Sequence, residues 1–291
     1  MLSRNQIRVK IFHCIYSSYI KNDYSNFDFK NSFNDYKNLY FKVLEILVYL
    51  KKRAEFEINH GLKKNFASED DLNPNKKFIN NQILKKIETD INSNYDDDEK
   101  KSIAKKIFEL LKTKKYFIDY MTNEKNELIS DKLLINKIIK NEIFNYNELF
   151  DYLENKSIYW NDDILAVQIL TSKIIDGFQK NKKNNFKNIN IFKNIEDEKF
   201  AKNLLSKTIK KREKNTEIIH ELAKNWDFDR ISILDSILLQ LAITEMTEFD
   251  SIPHKVSINE YIEIAKMYST KKSHEFINGI LDTFLKKKIL I

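Results

Sequence analysis

The stretch from Trp226 to Ile291 constrains the fold most, because three helical patterns follow one another there with clear punctuation. From Ile231, apolar residues recur at Leu234, Leu238, Leu241 and Ala242, the spacing of one buried helical face. Ser251-Ile252-Pro253 predicts a stop, since the residue before a proline is pushed out of the α region. Ser257, with Glu260 three residues on, predicts a capping box opening a helix that buries Ile258, Ile262, Ala265 and Tyr268. Ser269 or Thr270 then caps a third helix, whose stripe is Phe276, Ile277, Ile280, Leu281 and Phe284. The result is a compact three-helix unit.

The rest of the chain reads the same way. Only 3 Gly and 2 Pro occur in 291 residues, too little turn chemistry for a β-rich fold, while Lys, Glu, Ile and Leu recur at helical spacing. The expected class is all-α, in one or two domains, and 42% hydrophobic with 32% charged residues suits a globular core. A first helix is predicted from roughly Ser3 to Tyr19, capped by Ser3 and burying Ile7, Ile11, Cys14, Ile15 and Ser18. Asn22 to Asp35 reads as a polar linker. Helices follow at Tyr36 to about Leu62, Phe78–Ile91, Glu99–Tyr120, Ser130–Ile143, Tyr146–Leu153, Asp162–Gln179, Glu196–Lys211 and Glu213–Asn225. Lys63–Asn75 reads as a loop and Asn181–Asn194 as a basic connector, solvated or touching nucleic acid. Asp96 to Glu99 lacks the alternating ligands and glycine of a calcium loop, so it is assigned to a helix start complementing the macrodipole. Trp160 to Asp163 is likewise read as a helix entry, with the tryptophan anchoring the insert.

Charge narrows the function classes. A net charge of +7 fits either a lysine-rich solvated surface or a polyanion partner. Placement favours the second: the first 22 residues hold Arg4, Arg8, Lys10 and Lys21 and no acid. Arg4 and Arg8, four apart, are predicted to stack on one exposed helical face, either as two solvated cations or as a phosphate site. Tyr16 and Tyr19 follow as rings for stacking on unpaired bases or as edge-of-core residues. Catalysis finds no support. His13, His60, His220, His254 and His274 are scattered, and no phosphate loop, HExxH or GxSxG motif occurs. The single Cys14 excludes an internal disulfide and a multi-cysteine metal site, and suits a small buried role in a reducing compartment. No cofactor and no metal are expected. With no apolar signal core and no run near the ~20 residues that span a bilayer, no membrane role and a cytoplasmic location are expected.

INEYIEIAKMYSTKKSHEFINGILD, preceded by NWDFDRISILDSILLQLAITEM and SIPHKV, resembles the C-terminal half of the NusB family of transcription antitermination factors. MLSRNQIRVKIFHCIYSSY resembles the RNA-binding first helix of that family, and Glu69–Gln82 and Ser157–Asp163 resemble its long form with a large insert. The resemblance implies two three-helix subdomains, the N-terminal one from residues 1–21 and 196–225 and the C-terminal one from 226–291. A helical insert would occupy 22–195, with its two ends close in space. It further implies binding of boxA-type single-stranded RNA from ribosomal RNA leaders together with the NusE ribosomal protein, within an RNA polymerase antitermination complex. The implied RNA contacts are Arg4, Asn5, Arg8, Tyr16, Lys272 and Phe276. Asn5 and Gln6 stand where compact members carry a denser arginine cluster, and Gln240 stands where many relatives carry arginine. By spacing alone, Phe276 belongs with Ile280 and Phe284 in a core. Two other classes stay open: a protein-docking scaffold of the transcription or ribosome-assembly machinery, and an RNA-binding module related to ribosomal RNA methyltransferases. The second would need a methyl-donor-binding domain, which is not expected because the chain ends with the helical unit.

Overall fold

A computed structural model of the chain describes every residue except 25–28, 93–94, 124, 126, 158–159, 180–184, 224–230 and 290–291. The predicted boundary at 225/226, with Trp226, and the first residues of the 181–194 connector lie outside the described residues. In chain order the helices are α1 (Arg4–Ile20), α2 (Phe29–Gly61), α3 (Glu69–Leu72), α4 (Gln82–Ile91) and α5 (Asp98–Lys112). Then come α6 (Lys115–Thr122), α7 (Leu128–Ile138) with a π-helical turn at Ile139–Ile143, α8 (Asn147–Glu154) and α9 (Trp160–Gly177). Last are α10 (Ile195–Lys210), α11 (Arg212–Leu222), α12 (Ile233–Glu248), α13 (His254–Tyr268) and α14 (Ser273–Ile289). The fold is all-α, and no strand occurs among the described residues.

Two compact units result, one from Met1–Phe33 with Ile191–Ile291, the other from Asn34–Asn190. The inserted unit therefore starts later than residue 22 and ends before 195. Part of the reason is aromatic: Phe29 packs on Phe33 at 4.6 Å between ring centroids, and Phe33 on Phe192 at 5.0 Å. These rings tie the segments flanking the insert together within the first unit.

The first unit is built around α12, which packs against α1, α10, α11, α13 and α14. Every residue from Ile237 to Met246 is buried, so the single-face reading of this helix was too narrow, and Leu234, counted on that face, is only half-buried. A helix apolar on all sides is one with neighbours on all sides. On α1 the local signals hold: the Ser3 hydroxyl accepts from the Gln6 amide at 3.2 Å, and the Gln6 side chain accepts from the Ser3 amide at 2.8 Å. Ile7, Ile11, Cys14, Ile15 and Ser18 are all buried.

The capping box at Ser257 is a misreading. Pro253, with φ −57°, is the residue from which α13 departs, one turn earlier, and Ser257 sits inside the helix with no exposure. Proline's fixed φ suits a helix entry and needs no hydroxyl. Ser257 instead reaches across to α12, as described below.

In the second unit, Leu39, Val43, Leu47, Leu50 and Ala54 of α2 are buried at the predicted spacing. The Trp160 indole nitrogen donates to the Asp35 carbonyl at 3.0 Å, which pins α9 to α2. Asp97 caps α5, accepting from the Lys100 amide at 3.0 Å, so the acidic run is a helix start. The helix predicted over 99–120 breaks at Thr113–Lys114. There α6 turns Phe117 against Phe78 at 5.3 Å and Phe108 at 6.2 Å, a tertiary gain no local residue announces. Asn81, not Phe78, opens α4, its side-chain oxygen accepting from the amides of Ile83 and Leu84. The loop predicted at 63–75 contains the short α3. Among the described residues, no helix is long and apolar enough to cross a membrane.

Candidate nucleic-acid interface

The N-terminal cations meet the core very differently from one another. Arg8 is buried, its side chain 3% exposed. Its Nε donates to Glu245 Oε2 at 2.8 Å and its Nη2 to Glu245 Oε1 at 2.7 Å, a bidentate pair. Glu245, fully buried on α12, also accepts from the Ser257 hydroxyl at 2.7 Å and the Tyr261 hydroxyl at 3.0 Å. Arg8 Nη1 further donates to Glu260 at 3.3 Å, and the Asn5 amide donates to the same oxygen at 2.8 Å. Burial opposes the charge on Arg8, but the bond to Glu245 and the neighbouring carboxylates outweigh it and raise its pKa. Burial, reinforced by the Glu245 charge, likewise holds the Tyr261 phenol well above its usual range, so it stays a donor.

The prediction that Arg4 and Arg8 share an exposed face is therefore corrected. Arg8 faces α12 and α13, and its counter-charge lies 237 residues away, beyond the reach of any local spacing. Lys10 is buried as well, at 3% exposure. Of the two arginines, Arg4 keeps an open face: its side chain is 43% exposed, and its Nε donates to Asp197 at 2.9 Å. Asp197 is held in turn at the start of α10, where its amide donates to Asn194 at 2.8 Å. The guanidinium carbons of Arg4 and Arg8 each lie 5.3 Å from the Phe200 ring centroid. Arg4, Asn5 and Arg8 thus form one constellation, in which Arg4 is the open member.

Tyr16 and Tyr19 are exposed at 38% and 44%. Tyr16 lies twelve residues beyond Arg4, about 18 Å along the helix at 1.5 Å per residue. One turn before Tyr16, Phe12 and His13 pack on Tyr268 at 5.6 and 5.1 Å. That contact brings the middle of α1 to the turn at 269–272, which carries the exposed Lys271 and Lys272. Phe276 is buried at 9% exposure, whereas stacking on a base needs an open ring face. Its place is the core of α14, the position its spacing gave it.

Several polar residues escaped the sequence reading. Asp235, buried on α12, accepts from the Ser269 hydroxyl at 2.7 Å and the Ser273 hydroxyl at 2.9 Å, fixing both ends of the lysine-bearing turn. Glu245 carried a signal: a lone carboxylate in the run Leu238 to Met246 has to find a partner if the helix is buried. Gln240 is buried too, its amide nitrogen 3.3 Å from the Ser236 hydroxyl and 3.5 Å from that of Thr216. No group of three or more His, Cys, Asp or Glu side chains that would hold a metal occurs among the described residues.

Comparison with known proteins places this helical unit. A family model described as the NusB family matches residues 161–286, from α9 into α14. The transcription antitermination protein NusB of Finegoldia magna is 43% identical over 99 residues, 34% of this chain and 71% of that protein. The same-named proteins of Salinibacter ruber and Natranaerobius thermophilus are 46% identical over 86 residues and 43% over 89. Those two matches take in 30% and 31% of this chain, and 54% and 64% of the relatives' own length. No solved structure matches the chain.

Proposed function

The chain belongs to the NusB family, and we propose that it is a transcription antitermination factor binding boxA-type single-stranded RNA together with the NusE ribosomal protein. In this reading it joins an RNA polymerase antitermination complex in the cytoplasm and performs no chemistry of its own. The observation that carries the reading is the 43% identity over 99 residues to an antitermination protein, beside a family-model match that runs from α9 into α14. The surface chemistry of α1 supports it. Arg4 commits Nε to Asp197 and keeps its terminal nitrogens for phosphate oxygens. Asn5 lies beside it, and Tyr16 and Lys272 supply an open ring and a cation further along. Arg8 serves by fixing α1 on α12 and α13, and Phe276 by seating the helix that begins beside Lys272.

The test is a gel shift with boxA-containing and scrambled single-stranded RNA, each with and without the NusE partner. Preference for boxA supports the reading. Binding of the protein partner with no RNA shift favours the docking scaffold instead. Within a binding series over salt concentration, Arg4→Ala lowers RNA affinity and makes the log–log salt slope shallower by about one. An unchanged slope removes Arg4 from the interface.

A further inference from the structure

A cavity of ≈ 540 Å³ opens on the first unit beside the C-terminal end of α1, where α11 and α12 meet it. Its polar lining includes Tyr19, Tyr24, Arg212, Thr216, Ser236 and Gln240, and four isoleucines supply most of the apolar wall. Among the described residues, no carboxylate lines it. The Arg212 guanidinium carbon lies 4.1 Å from the Tyr24 ring centroid, a close stack that holds the fork flat. Among the described residues, no carboxylate pairs with that fork.

We propose that this cavity is a subsite for one unpaired RNA nucleotide, its base against Tyr19 and the isoleucine wall and its phosphate on Arg212. The proposal rests on the RNA-binding reading above and extends it. Three features choose this occupant. A planar, weakly polar ring suits a wall of isoleucine and tyrosine, while the Ser236 hydroxyl proton and the Gln240 side-chain oxygen are left to meet the base edge. A cation with no carboxylate among the described lining residues suits an anionic ligand, and a planar arginine fork matches phosphate oxygens. Position gives the third: Tyr19 follows Tyr16 by three residues, neighbours on one helical face, so a strand lying on Tyr16 runs on to this opening.

The test uses the full-length chain and a fluorescein-labelled boxA-containing single-stranded RNA, read by fluorescence anisotropy. Arg212→Ala and Tyr24→Ala each weaken binding about tenfold, the scale of a lost stacked base, and Arg212→Ala also makes the salt slope shallower by about one. Circular dichroism melts of both variants check that they fold, and Arg212→Lys, which keeps the charge, retains the slope but not the affinity. A single abasic nucleotide is then walked along the RNA. One position costs about tenfold with the wild-type protein and nothing further with Tyr19→Ala. If the wild type binds RNA while the variants and the abasic walk change nothing, the subsite is wrong and the RNA-binding reading stands. If Arg212→Ala leaves RNA binding intact and weakens NusE binding, the cavity belongs to a protein partner and the proposal falls. If the wild type binds no RNA, both fall together.

Discussion

Replacing Glu245 by alanine is expected to destabilise the first unit by about 3–5 kcal/mol, because it strands the buried Arg8 charge. The Coulombic attraction is not what sets that magnitude. A buried ion pair and an apolar replacement of the same shape are often close in free energy, whereas one uncompensated charge bears the full cost of desolvation. Arg8 keeps only its longer bond to Glu260 in the variant, and the Ser257 and Tyr261 hydroxyls lose their acceptor. Arg8→Met destabilises for the mirror reason, and the double variant Arg8→Met, Glu245→Leu loses less than the sum of the two. Urea unfolding with a constant slope measures all three. A loss below about 1 kcal/mol for Glu245→Ala would mean that water reaches this pair and that α1 is not seated as described.

In the inserted unit the largest expected loss is at Trp160. Trp160 is 4% exposed and its indole nitrogen is bonded to the Asp35 carbonyl, so Trp160→Ala removes a large buried ring and the hydrogen bond that ties it to α2. About 3–5 kcal/mol follows, in the range of aromatic-to-alanine changes in cores. Trp160→Phe separates the two contributions, since it keeps most of the volume and loses the bond, with a cost of about 1 kcal/mol beyond the volume change. Equilibrium unfolding followed by far-ultraviolet circular dichroism gives both numbers. Near-equal stability of Trp160→Ala and wild type would show that α9 is not held to α2 by this ring.

What could be read from the residues, and what could not, divides by the reach of the interaction. The Ser3 cap and the acidic start of α5 were legible because their partners lie three residues away. The stripes of α1, α2 and α14 were legible because core-facing positions repeat with the helix. Ser257 shows how a local rule misleads: serine followed by glutamate three residues later satisfies the pattern, but Pro253 had already begun the helix. The pair was real and its purpose was tertiary, with Ser257 on Glu245 and Glu260 on Asn5 and Arg8. The exposed pair of arginines failed for the same reason. A 3.6-residue period puts Arg4 and Arg8 on one side of α1, but cannot say that a carboxylate from α12 waits on that side for one of them. Of the family-implied contacts, Arg4 and Tyr16 are exposed, while Arg8 and Phe276 are buried.

The order of the helices along the chain has a consequence for biosynthesis. α1 leaves the ribosome first, yet its seat on α12 is made last: at roughly 5–20 residues per second, the 237 residues between Arg8 and Glu245 take about 12–47 s to appear. Until α10 emerges the nascent chain carries a helix whose isoleucine stripe has nowhere to dock, and until α12 emerges Arg8 lacks its counter-charge, while the intervening unit can already close on itself. Such a polypeptide depends on holding chaperones more than one whose first helix meets its partners within seconds.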